Sequence, residues 1–341
     1  MNWGVYMLMN KKIKSLTAML ALAVTVSLTA CSSDQANTAS AAERPEIGVV
    51  LSEVGLGDQS YSDAAFRGLV KVRDEDGVLF DYREIEKTGT YDEAFKQLVE
   101  AKSDLIIGLG FMVKESLEKS AKENPDQQYL IVDDKSDLPN VASITFKEEE
   151  GSYLAGVVAG MTTKSNHVGF LGGVESDLLA KFQAGYEQGV KAANPQADVK
   201  TVYAGDFGAP DLGTKIAASM MKDDGVDVIY AAAGLTGVGA LQEAQKEGKY
   251  AIGVDTDQFF IAEKAVITSM VKHIDNSILS VVRTFNENGG KFPQKDMVFG
   301  LKEEGVGVAP IRIIELTPEQ QAQIDDLTQK LISGSVTIQL P

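Results

Sequence analysis

The chain has one cysteine, Cys31, and two histidines, His167 and His273, in 341 residues. That scarcity rules out an internal disulfide and any Cys/His zinc constellation. It also leaves no cysteine–histidine pair for nucleophilic catalysis, because Cys31 lies at the end of an export-type segment. Each histidine stands at the edge of a strand-like run, where a surface or interface place is expected rather than a catalytic one. Basic charge is short as well: 32 Lys and Arg stand against 49 Asp and Glu, a formal net charge of −17. Nucleic acid is held by neutralising its phosphates, so no nucleic-acid partner is expected.

Phosphate-cradling loops are also missing. Gly108-Leu-Gly110 is followed by Phe-Met-Val and Gly55-Leu-Gly57 by Asp-Gln-Ser, so neither carries the third glycine of a dinucleotide fingerprint. No Gly-x-x-x-x-Gly-Lys-Ser/Thr loop occurs. Asp133-Asp134 alone is a thin basis for a calcium-dependent hydrolase. The expectation is a chain without catalysis, cofactor or metal.

The apolar run from Leu16 to Ala30 falls short of the ~20 residues that span a bilayer. It has the length of a signal-peptide core, and Lys11, Lys12 and Lys14 precede it as a basic segment. It ends in Leu28-Thr29-Ala30-Cys31, which resembles a bacterial lipobox: small residues admit the signal peptidase, and the cysteine thiol carries the lipid. Residues 1–31 therefore read as a lipoprotein signal with Cys31 as the lipidated residue, and Met9 is the expected start. Residues 32–44, rich in Ser, Ala, Thr, Asn and Gln, bury little apolar area and read as a flexible tether. The expected location is the extracytoplasmic face of the cell membrane, held by lipid.

From Glu46 onward, short Val/Ile/Leu runs alternate with amphipathic stretches, the pattern of βαβ units and parallel sheets. Two such series are present, each long enough for one doubly wound lobe. The predicted fold class is α/β, two Rossmann-like lobes. The expected division is 45–146 with 271–296 in one lobe and 147–270 with 297–341 in the other. Ligands of open α/β sheets sit beyond the carboxyl ends of the strands. The residues found there are Ser52-Glu53, Asp133-Asp134, Asp206-Phe207, Gly234 and Asp255.

Five ordered segments carry a family resemblance: Gly55-Leu-Gly-Asp-Gln-Ser-Tyr-Ser-Asp63, Val141-Ala-Ser-Ile-Thr-Phe-Lys-Glu-Glu-Glu-Gly-Ser-Tyr-Leu-Ala-Gly156, Gly253-Val-Asp-Thr-Asp-Gln258, Thr268-Ser-Met-Val-Lys272 and Gly300-Leu-Lys-Glu-Glu-Gly-Val-Gly307. Everything after Glu46 resembles the basic membrane protein (BMP) family of ABC-transporter substrate-binding lipoproteins, purine-nucleoside receptor type. The resemblance implies the type I periplasmic binding protein fold with a three-crossover hinge. It also implies a nucleoside-like ligand, ABC permease partners, and a base held between two aromatic rings. Here the rings are Tyr61 and Phe207; Phe207 either serves so or packs under its loop. Asp133 would read the base, Asp255 and Lys272 the ribose, with Gly234 supplying backbone and Glu53 and Ser62 completing the first loop. Asp255 and Lys272 have a second reading as a structural ion pair.

Three positions depart from the family pattern. Tyr61 stands for phenylalanine, Ser62 for asparagine and Glu53 for aspartate. These leave open a different small heterocycle or a sugar as ligand, and a ligand-sensing regulatory role in place of transport.

Overall fold

Strand and helix alternate along residues 44–341, which the computed structural model describes. The signal, Cys31 and residues 32–43 of the tether lie outside the described residues. The first series runs β1 (Glu46–Val50), α1 (Tyr61–Asp76), β2 (Leu79–Arg83), the single turn α2 (Ile85–Thr88), α3 (Tyr91–Glu100), β3 (Leu105–Leu109), α4 (Lys114–Glu123), β4 (Gln128–Val132) and β5 (Val141–Phe146). After α5 (Glu148–Thr162) comes a second series: β6 (His167–Gly172), α6 (Asp177–Ala193), β7 (Asp198–Tyr203), α7 (Pro210–Asp223), β8 (Val228–Ala232), α8 (Gly234–Lys246), β9 (Tyr250–Asp255) and β10 (Val266–Lys272). The chain closes with α9 (Ile274–Glu287), β11 (Asp296–Phe299), β12 (Val306–Val308) and α10 (Pro318–Ile332).

Two six-stranded sheets result, in the orders β11-β5-β4-β3-β1-β2 and β12-β10-β9-β8-β6-β7. The pairings are parallel except β12 against β10. Apolar residues alternate between the two faces of each strand and both faces are covered. In the first sheet Val50, Ile106, Tyr129 and Ile131 pack under α3 and α4, while Val49, Ile107 and Leu130 join the opposite core. This is why the strands read as continuous apolar runs.

The strand orders of the two sheets correspond position for position, β1 to β6, β3 to β8 and β4 to β9. The chain passes between sheets three times: through α5, through α9, and from β11 to β12. Three neighbouring connections make a hinge that lets two rigid lobes approach and part. The lobe boundaries need correction. Val271 and Lys272 finish β10 and belong to the second sheet, whereas Met297–Phe299 pair with β5 and belong to the first. A strand is placed by the partner that completes its backbone hydrogen bonds, and nothing local in either segment names that partner.

Helix α5 carries no clear amphipathic alternation in its sequence. Of the thirteen residues from Glu148 to Gly160, where a surface helix would show a polar side, all but Glu149 are buried. A helix without a polar face gives no 3.6-residue alternation to detect. It lies close against α6, where Gly156 and Gly189 each meet the other helix's backbone and leave no room for a Cβ. The tight packing brings the start of α5 against α6, with Gly185 on the Glu149 backbone and Lys181 3.6 Å from Glu148.

Candidate functional site

The loop after β1 is organised around one carboxylate. Asp58, buried, accepts from the backbone N–H groups of Ser60 (2.9 Å), Ser62 (2.7 Å) and Asp63 (3.2 Å), so it satisfies donors that the first turn of α1 would otherwise leave open. That knot aims Ser60 and Tyr61 away from their own sheet. Gly110, at the end of β3 with φ 93°, lies beside the Tyr61 ring, 3.7 Å separating Cε1 from where a Cβ would stand.

In the second lobe Phe207 rests against Gly173 and Gly234, which offer no side chains to hold it away. Its loop is tied to the start of α8. Thr236 N–H donates to the Phe207 carbonyl (2.9 Å), and the Thr236 hydroxyl donates to the Asp206 carbonyl (2.8 Å). Each aromatic residue therefore comes from a loop fixed by short-range hydrogen bonds and abuts glycine.

Between them is a cavity of about 100 Å³. One enclosed water needs roughly 10–15 Å³ on the same measure, so there is room for a small molecule rather than a single solvent. Tyr61, Phe111 and Met112 wall it from the first lobe, and Leu178, Phe182 and Phe207 from the second. The polar wall is formed by Asp58, Asp133, Asp255 and Lys272.

The charges form a layered arrangement. Lys272 Nζ, buried, donates to Asp133 Oδ2 at 2.6 Å and lies 3.1 Å from Glu148 Oε1. The rings of Phe146, Tyr61 and Phe182 surround it at 4.8, 5.5 and 5.7 Å, a cation–π setting. Burial alone would lower the Lys272 pKa, but Asp133, Glu148 and Asp255 together hold it above its ordinary value. Asp255 accepts from the Ser60 hydroxyl at 2.5 Å. Burial pushes its carboxyl up to about 6, against the pull of Lys272 and Ser60. Burial, then the neighbouring Asp133 charge, raises the Tyr61 hydroxyl well above its usual range, so it stays protonated.

Bonds cross the cleft. Besides Ser60 to Asp255 and Lys272 to Asp133, Gln258 Nε2 and the Thr256 hydroxyl both donate to the Gln59 carbonyl, at 3.1 and 3.3 Å. The lobes are thus in contact along one rim of the cleft.

Of the predicted residues, Glu53, Tyr61, Asp133, Phe207, Gly234, Asp255 and Lys272 line this one cavity, Glu53 at its exposed rim. Ser62 does not. It is fully buried one layer behind, its hydroxyl 2.6 Å from that of Ser52, because the helical turn that sends Tyr61 outward sends Ser62 inward. The Asp255–Lys272 ion pair is also corrected: Lys272 salt-bridges with Asp133 and Glu148 instead. Sequence reasoning missed Ser60, Asp58, Phe182 and Glu148. Asp58 and Ser60 stand inside the quoted loop segment, and the signal was their small polar character just ahead of a helix. Phe182 and Glu148 become neighbours of Lys272 only through packing.

Two hinged α/β lobes, with a polar and aromatic cleft beyond their strand ends, define a solute-binding protein. Among solved structures, a solute-binding protein of an ABC transporter system from Aeropyrum pernix K1 matches with a TM-score of 0.79 at 25% identity, over 87% of this chain and 94% of that one. The model of the Bmp family, ABC transporter substrate-binding protein PnrA-like, matches residues 46–339, and the chain belongs to that family. The CD4+ T-cell-stimulating antigen of Listeria innocua is 33% identical over 97% of this chain and 99% of its own length. The ABC transporter nucleoside-binding protein BmpA of Lactococcus lactis is 29% identical over 97% and 99%. The chain is an ABC transporter substrate-binding protein, with a small-molecule ligand, a permease partner and an extracytoplasmic place of work.

Proposed function

We propose that the protein captures a nucleoside, a purine nucleoside first of all, in the interlobe cleft and delivers it to the permease from a lipid anchor on Cys31. The observation that carries this reading is the placement of Tyr61 and Phe207, from opposite lobes, on the wall of one cavity above buried polar groups. A purine is flat and polarizable, and aromatic faces desolvate it without demanding base identity. Asp255 can accept hydrogen bonds from vicinal hydroxyls, and Lys272 can donate to a ring or hydroxyl oxygen. Asp133 Oδ1 is buried without a hydrogen-bond partner among the described residues and suits a base N–H. The nucleoside-binding relative in Lactococcus lactis points the same way.

Ligand enters an open cleft, contacts one lobe, and closure adds the contacts of the other. Closure is favoured because the ligand interacts more strongly with the closed form. The decisive experiment is mass spectrometry of small molecules released from denatured purified protein, followed by calorimetry with inosine, adenosine, guanosine and free ribose. A released or titrated nucleoside that binds far more tightly than ribose supports the reading. Ribose binding as tightly as the nucleosides, or nucleosides giving no heat, overturns it. For the anchor, Cys31→Ala should move the protein from the membrane to the soluble fraction.

A further inference from the structure

Lys272 has a carboxylate from each lobe. Asp133, at the end of β4, belongs to the first lobe; Lys272, at the end of β10, belongs to the second. Glu148 opens α5, which packs on α6 and β10 of the second lobe. The 2.6 Å contact of Lys272 with Asp133 therefore spans the cleft, and the 3.1 Å contact with Glu148 does not. Glu148 is 1% exposed, is absent from the cavity wall, and among the described residues neither of its carboxylate oxygens has a hydrogen-bond partner.

Other groups face Glu148 from every side. Lys181 of α6 lies 3.6 Å away, the hydroxyls of Tyr61 and Tyr230 sense its charge, and the Asp255 charge acts on Lys272 as well. On its own helix, Glu150, also buried, pairs with Lys147 at 2.9 Å and accepts from the Leu301 N–H at 2.8 Å, and Glu149, partly buried, has its carboxyl raised by desolvation.

Resting on the closure reading above, we propose that Glu148 is a positioning residue that holds Lys272 on the second lobe when the cleft opens and takes up a proton when closure brings Asp133 to the same ammonium. In the open form Glu148 is the close carboxylate of the pair and stays ionised. Closing gives one buried cation two carboxylates, and like charges in a dry site drive one of them neutral. The 2.6 Å bond donated by Lys272 goes to Asp133, whereas among the described residues neither oxygen of Glu148 accepts a hydrogen bond that protonation would cost. Consistent with this, burial first, then Asp133, holds the Glu148 carboxyl up to about 7 against the opposing pull of Lys272 and Lys181. The pKa is raised in the closed form, so the proton favours closure at low pH, and that contribution fades as pH rises through about 7.

The test uses the full chain with a spin label on each lobe, and the interlobe distance is recorded without ligand from about pH 5 to about pH 9. The closed fraction should rise as pH falls, the closing equilibrium changing by up to about tenfold per pH unit. Glu148→Gln should remove the component centred near 7, leaving only what Asp255 contributes near 6. Lys181→Ala removes a cation that resists protonation and should move the midpoint to higher pH, which keeps the test alive if the glutamine variant folds poorly. A wild-type distance that ignores pH, or a Lys181→Ala midpoint that does not move, overturns the proposal. So does a folded Glu148→Gln variant with the wild-type profile. Failure of nucleosides to bind beside an intact Glu148-dependent profile would sink the nucleoside reading alone.

Discussion

Asp133 and Asp255 occupy corresponding places in the two lobes, each at the carboxyl end of the fourth strand of its series and each with a left-handed backbone, φ 72° and 62°. Both are buried, at 7% and 8% exposure, and both line the cleft. A residue with a side chain adopts this conformation at a cost, least for Asp and Asn, and the strain persists only where surrounding structure enforces it. The turn lifts each carboxylate out of the plane of its sheet and into the space between the lobes. Asp133 is then taken by Lys272 and Asp255 by Ser60, each from the opposite lobe.

Removing either ring should weaken nucleoside binding without unfolding the protein, since both side chains are only half-buried. Tyr61→Ala and Phe207→Ala should each cost about 1–3 kcal/mol, from about fivefold to about 150-fold in Kd by calorimetry. Unchanged affinity in the double variant would end the stacking account.

Asp255 should show opposite effects on stability and binding. Its folded pKa of about 6 stands above the ordinary 3.8, so ionisation costs folding free energy, and that cost appears as pH rises through about 6. Asp255→Asn should be more stable than wild type at alkaline pH by up to about 3 kcal/mol, with the difference vanishing in acid. The same variant should bind nucleoside more weakly at every pH, having lost an acceptor. Urea titrations at the two pH extremes, paired with calorimetry, check both halves.

Lys272 neutralises its neighbours, so Lys272→Met should destabilise by about 3–5 kcal/mol by stranding Asp133 and Glu148. Adding Asp133→Asn and Glu148→Gln to that variant should restore much of the loss, because the uncompensated charges are gone. Denaturation midpoints of the single and triple variants decide it, and a triple variant no better than the single would refute the charge argument.

The two glycines beneath the rings should fail in different ways. Gly110 has φ 93°, and a Cβ there would meet Tyr61 and Ser52 only at van der Waals distance, so Gly110→Ala should lower stability by about 1–3 kcal/mol through backbone strain without displacing the Tyr61 ring. At Gly173 a Cβ would run into the Phe207 ring, so Gly173→Ala should displace the ring and weaken ligand binding more than stability. Thermal melts and calorimetry on both variants separate the effects.

Much of the architecture was readable without coordinates. The alternation of Val/Ile/Leu runs with amphipathic stretches from Glu46 onward, in two series, is what the structure shows, because short apolar runs and amphipathic periods are local properties. Helix α5 was not readable, since burial all round erases the period on which recognition depends. The lobe membership of Lys272 and Met297 was not readable either.

Sequence by itself determined the inventory: alternating strands and helices, one lobe's worth twice over, and acidic, aromatic and glycine residues at the strand ends. Those features are written in neighbouring residues. Tertiary structure alone decided which side chains share the cleft. Ser62 turned inward, Lys272 took Asp133 and Glu148 in place of Asp255, and Ser60 reached 195 positions along the chain to Asp255. Partners so distant in sequence are chosen by sheet order and hinge geometry, and those are set by the packing of the whole chain.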